Sequence, residues 1–163
     1  MYSTEVTDRF MVGGTALRFE SAGGAAWELI AEQILCIGES TSEAGISHED
    51  WHLCFVMDAH GSWVEGSLHA ESRNDALQWL SVRLASSLEL KLVNSPPFRS
   101  RVMWPPSLLD QPLFDYQVPT LRRLFSRAAR QLGFAPLRAV QSVRPAILEK
   151  LWSRRRPPLS RSA

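Results

Sequence analysis

Trp51-His52-Leu53-Cys54-Phe55-Val56-Met57-Asp58 is the stretch that decides the fold. It is dense in β-branched and aromatic residues and carries apolar side chains all round. Ala59-His60-Gly61-Ser62 and a second strand-like run over residues 63–70 follow it. Two such runs joined by a short glycine-containing turn are the pattern of an antiparallel hairpin.

Working outward, residues 15–20 alternate around Leu17 and Phe19 and read as another strand. Residues 25–39 fit two patterns. Trp27, Ile30, Ala31, Ile34 and Leu35 share a helical face, whereas 34–41 followed by a polar loop fits a strand. The expectation is a short helix or irregular turn, then a strand from about Gln33. Ser72, with Asp75 three residues on, gives a capping-box-like start to a helix running to about Ser87, and Ala76, Leu77, Leu80, Leu84 and Leu88 line its core side. Trp79 and Val82 point elsewhere and are expected to meet the C-terminal segment. Residues 88–93 then alternate, Leu88, Leu90 and Leu92 against Glu89 and Lys91, as a further strand.

His48-Glu49-Asp50-Trp51-His52 resembles the H-E-x-x-H string of the zincin metalloproteases. That resemblance implies zinc held by His48 and His52, with Glu49 taking a proton from the metal-bound water. The chemistry needs a helix, because residues i and i+4 share a helical face but lie ~13 Å apart along a strand. The hairpin pattern and the charge of Asp50 argue against a helix here. A third ligand would have to come from Glu65, His69 or Glu71. The expected cofactor is therefore none, with zinc as the alternative. His60 sits in the predicted turn, and His69 shares a strand face with Trp63, Glu65 and Ser67. No nucleophile elbow, phosphate-binding glycine loop or C-x-x-C is present. Cys36 and Cys54 lie inside apolar runs, as buried, reduced thiols do.

Charge divides the chain. Residues 1–118 carry 7 Lys/Arg against 16 Asp/Glu, and residues 119–163 carry 11 against 1, so formal charges of −9 and +10 nearly cancel. Between the halves, residues 96–118 interleave six prolines' worth of breaks, counting Pro119, with Phe98, Trp104, Leu113, Phe114 and Tyr116. So many large apolar groups need cover, which predicts an extended arm packed on the domain. In the basic part, Leu121, Leu124, Phe125, Ala128 and Leu132 recur at helical spacing opposite Arg122, Arg123, Arg127 and Arg130, ending at Gly133. A second helical stretch runs from Leu137 to about Ser153, broken or restarted at Pro145. Arg154, Arg155 and Arg156 close it, near the negative end of the helix dipole.

The expected fold class is α+β: a small antiparallel sheet with one main packing helix, then the arm and two basic C-terminal helices. The expected organisation is an acidic α+β domain over 1–95, the arm over 96–118, basic amphipathic helices over 119–153 and a disordered basic tail over 154–163. The N-terminus carries Glu5 and Asp8 and no apolar core, so it does not read as a signal peptide, and no window is apolar enough to cross a bilayer. The expectation is a cytoplasmic protein, with peripheral membrane attachment as an addition. Its function reads as non-enzymatic: a binding or adaptor protein whose cationic helices, through Arg122, Arg123, Arg127, Arg130, Arg154, Arg155 and Arg156, dock on an acidic protein or an anionic membrane. The alternatives are the zinc hydrolase and a nucleic-acid-binding accessory protein. The last is less favoured, because the arginines are not interleaved with aromatics.

Overall fold

Both faces of the expected hairpin are covered, which is why its first strand is apolar without alternation. In the computed structural model, which describes residues 7–42, 50–117 and 140–155, strand β5 (Trp51–Val56) pairs antiparallel with β6 (Trp63–Ser67), Val56 opposite Trp63 and His52 opposite Ser67. Leu53 and Phe55 enter one core with Phe10, Phe19 and Leu29, while Cys54 and Val56 enter a second with Val102, Leu113 and Ile147. The turn is fixed by Asp58, whose Oδ1 accepts the His60 and Ser62 amides at 2.9 and 3.0 Å, and by Gly61 at φ +85°.

The fold is α+β, as its sequence predicts, built among the described residues from small antiparallel sheets and two helices. Strands β1 (Arg9–Gly13), β2 (Ala16–Glu20) and β3 (Ala26–Ile30) form a three-stranded meander. Strand β4 (Cys36–Thr41) runs inside a four-stranded sheet of order β6-β5-β4-β7, with β7 at Ser100–Trp104. Strands β8 (Phe114–Gln117) and β9 (Val140–Val143) form a separate pair. The meander seats its aromatic residues on the larger sheet at Gly66. A Cβ there would lie 2.7 Å from a Phe10 ring atom and 2.8 Å from one of Phe19, so only glycine admits the two rings.

Several local expectations are corrected. Residues 26–30 are strand β3, not a helix or turn. Trp27 stacks on Phe19 at 5.5 Å and its indole donates to the Glu65 carbonyl, while Ile30, assigned to the helical face, is exposed. A three-residue 3-10 turn, Ala31–Gln33, then leads towards β4. Helix α1 spans Arg73–Arg83, shorter than expected, and Ser72 makes no side-chain cap. Its backbone is left-handed (φ 56°), and only its carbonyl serves the helix, accepting the Ala76 amide. Trp79 meets the β1–β2 turn: its indole points at the Gly14 carbonyl and Arg83 covers the ring at 5.3 Å, while most of the C-terminal segment expected to cover Trp79 and Val82 lies outside the described residues.

Residues 88–93 are not a strand. They form a strap across the sheet whose Leu88, Leu90 and Leu92 are half-buried against the first core. Within the proline-aromatic stretch, β7 hydrogen-bonds β4 along one edge, and its other edge is closed by Val102 with Asp110 and Gln111. Prolines 96, 97, 105, 106 and 112 all stand outside strands, where a missing N–H costs no ladder bond. The expected helix from Leu137 divides: residues 140–143 are β9, and helix α2 (Pro145–Arg155) begins at the proline, which is pre-set for a first helical turn. Ile147 and Leu151 of α2 are buried in the second core. The first basic helix lies outside the described residues. Among the described residues no helix is long and apolar enough to cross a membrane.

Candidate functional site

Strand register fixes where the basic segment leaves and re-enters the fold. In the β8–β9 pair Phe114 faces Val143, Asp115 faces Ser142, Tyr116 faces Gln141 and Gln117 faces Val140. Residues 118–139 are therefore an insertion whose two ends are adjacent, at one end of a hairpin anchored by Phe114 and Val143 in the second core. The insertion holds five arginines and no carboxylate. Arg122, Arg123, Arg127 and Arg130 belong to it and lie outside the described residues, as does Arg156. Arg154 is exposed on α2, where its guanidinium donates to the Ser107 hydroxyl, and Arg155 ends the helix. Arg144, just before α2, pairs with Asp115 of β8 at 2.8 Å across the hairpin.

The H-E-x-x-H string is divided between described and undescribed residues. His48 and Glu49 lie outside the described residues. His52 is on β5, between Ser40 of β4 and Ser67 of β6. The backbone at Trp51 and His52 is thus extended, and residues four apart along a strand lie ~13 Å from each other, too far to share one zinc ion. Among the described residues no group of three or more His, Cys, Asp or Glu is placed to hold a metal ion. His69 pairs instead with Asp50 at 3.2 Å and meets the Trp51 ring edge-on, and His60 is exposed in the hairpin turn.

The most concentrated polar chemistry is one that sequence reasoning missed. Glu39, in the middle of β4, is fully buried, and its carboxylate accepts four hydrogen bonds. Oε2 takes the Trp51 indole (3.0 Å) and the Leu92 amide (3.2 Å), and Oε1 takes the Lys91 amide (2.7 Å) and Arg101 Nε (2.5 Å). Arg101, 7% exposed on β7 directly opposite, has a partner on each of its three nitrogens: besides the Nε bond, Nη1 donates to Asp110 at 2.7 Å and Nη2 to the Glu89 carbonyl. Lys91 closes the ring by pairing with Asp110 at 3.2 Å. The available signal was a lone Glu in the run Ile34-Leu35-Cys36-Ile37-Gly38-Glu39 and a lone Arg in Ser100-Arg101-Val102-Met103-Trp104. A charge inside a buried run demands an opposite charge nearby.

The hydrogen bond from Lys91, together with Arg101, holds the Asp110 carboxyl below its ordinary value, against a smaller opposing effect of desolvation. Because the folded value is the lower one, this contribution is present above the unfolded value and lost as pH falls through the folded one.

Cys36 and Cys54 are reduced and buried. Burial pushes the Cys36 thiol up to about 12, and burial followed by the negative charge of Glu65 raises Cys54, whose Sγ lies 3.3 Å from the Ser40 hydroxyl. Since the thiolate is the nucleophile, both should react with iodoacetamide at about pH 8 at least roughly a hundredfold more slowly in the native protein than in denaturant. Equal rates, followed by mass spectrometry, would contradict that placement.

No protein-family model matches the chain, and neither a curated protein nor a solved structure matches it. Function has to be read from the chain's own chemistry.

Proposed function

We propose that the protein is a non-enzymatic binding or adaptor protein that docks through its basic insertion on an anionic surface, either a membrane or an acidic protein. The observation that carries this reading is the pairing of Gln117 with Val140, which ties both ends of an arginine-rich amphipathic stretch to one point of a folded domain. A cationic face opposite Leu121, Leu124, Phe125 and Leu132 combines attraction to anionic headgroups with apolar area to bury. Glu39 and Arg101 are engaged within the fold, by each other, by the Trp51 indole and Asp110, and by the backbone of residues 89–92.

The hairpin register also supplies the test. Residues 118–139 can be replaced by Asn-Gly, a two-residue turn suited to joining paired strand ends. The shortened protein should keep its far-ultraviolet spectrum and lose binding to phosphatidylserine vesicles, which the full chain should bind in preference to phosphatidylcholine. Each basic residue near such a surface contributes about 1 kcal/mol. Replacing Arg122, Arg123, Arg127 and Arg130 with glutamine should therefore weaken binding by roughly a thousandfold at low salt, and less near physiological salt, where the screening length falls to ~8 Å. Binding to polyglutamate but not to vesicles would select the acidic-protein surface. Indifference to both at low salt would end the docking reading.

A further inference from the structure

The strap over residues 88–92 is held by side chains where a strand would be held by a ladder. The Glu39 carboxylate accepts two consecutive amides, Lys91 and Leu92, and the Arg101 guanidinium donates to the carbonyl of Glu89 two residues earlier. All three captured groups belong to the backbone, so the clamp reads main chain and is blind to side-chain identity. Selectivity comes from the alternation, with Leu88, Leu90 and Leu92 packed on the core and Glu89 and Lys91 exposed. We propose that the floor beneath the strap is a groove for an extended peptide with apolar side chains at alternate positions, and that residues 88–92 are its autoinhibitory occupant.

Three observations separate this from a permanent piece of core. The leucines of the strap are only half-buried, and Val93 beside them is 57% exposed. The strap is bracketed by two non-glycine residues in the left-handed region, Ala85 at φ 47° and Phe98 at φ 61°, so conformational strain at both ends is relieved when it lifts. Its floor is an ion pair. A buried pair is a poor stabiliser of a dry core, but it suits a surface that alternates between holding a peptide and meeting water. Alternate side-chain pockets with main-chain capture are also how sheet edges select extended peptides, and here two side chains replace the edge.

The intact wild-type protein gives the first test. In native-state hydrogen exchange, the Lys91 and Leu92 amides should exchange at least tenfold faster than those of Leu53 and Phe55, with weaker dependence on denaturant, since they open locally. Exchange of all four through one global unfolding would overturn the proposal. In the second test a labelled synthetic peptide copying residues 86–96 is added to the variant carrying Leu90→Ser and Leu92→Ser, which weakens the resident strap but keeps Glu39 and Arg101. Binding at least tenfold tighter than to wild type, and lost when the three leucines of the peptide are made consecutive, is expected. A folded variant that binds the peptide no better than wild type does would also overturn it. If the variant does not fold, the exchange measurement on the wild type decides.

Discussion

Replacing Arg101 with methionine should destabilise the domain by about 3 kcal/mol, the lower end of the range for breaking a buried ion pair. The substitution keeps most of the side-chain volume and removes the charge. Glu39, fully buried, then loses its strongest donor, and Asp110 and the Glu89 carbonyl lose theirs. A sealed core would place the cost near the upper end. The lower end applies because lifting residues 88–92 admits water to the stranded carboxylate. Glu39→Gln should cost less than Arg101→Met, since one amide oxygen still accepts but the NH2 group now faces either the Trp51 indole and Leu92 amide or the Lys91 amide and the guanidinium. The double variant should lie well short of the sum, because each change removes the charge that makes the other costly. Urea unfolding of the four proteins measures this. Strict additivity, or a loss below about 0.5 kcal/mol for Arg101→Met, would mean that the pair contributes no more than an exposed ion pair does.

The legibility of the fold in the sequence follows from how local each element's cause is. The β5–β6 hairpin is set by a run of apolar residues, a turn with Asp58 and Gly61 and a second run, all within seventeen residues of Trp51, and it folds as read. Strand β3 was hidden because Trp27 and Ile30 fit a helical face equally well. What decides is a partner elsewhere, Phe19 and the Glu65 carbonyl, which no local pattern contains. Residues 88–93 have the alternation of a strand and the burial that goes with it, yet they lack one. Their amides are claimed by Glu39, some fifty positions earlier. Alternation reports which side chains face a core, not what the backbone bonds to. The candidate site shows the same limit. The charge asymmetry and the amphipathic arginine stretch are compositional and could be read directly, whereas the Glu39–Arg101 node arises from register between β4 and β7 and could not.

Ending the chain at Gln117 should abolish folding, although the sequence alone makes that cut look like the boundary between an acidic domain and a basic appendage. The cut removes β9 and α2, and with them Val143, Ile147 and Leu151, each at most 5% exposed in the second core. Burying a side chain of that size contributes about 1.5–3 kcal/mol, so the three together supply roughly 5–9 kcal/mol. A domain of this size is stable by only about 5–15 kcal/mol in total. The loss also strips the partner from β8 and uncovers Cys36, Cys54 and Val56 on the back of the main sheet. Exposed apolar area of that kind leads to aggregation rather than a soluble fragment. Replacing only residues 118–139 with a two-residue turn should leave the protein folded and, through closure entropy alone, more stable by about 2 kcal/mol, since each halving of a loop is worth about 0.6 kcal/mol. The contrast between the two deletions, read by circular dichroism and size-exclusion chromatography, separates charge from core. A folded, monomeric fragment ending at Gln117 would show that β9 and α2 are ornaments on an autonomous acidic domain. Collapse of the shortened-loop protein would show that the arginine stretch is itself part of the core.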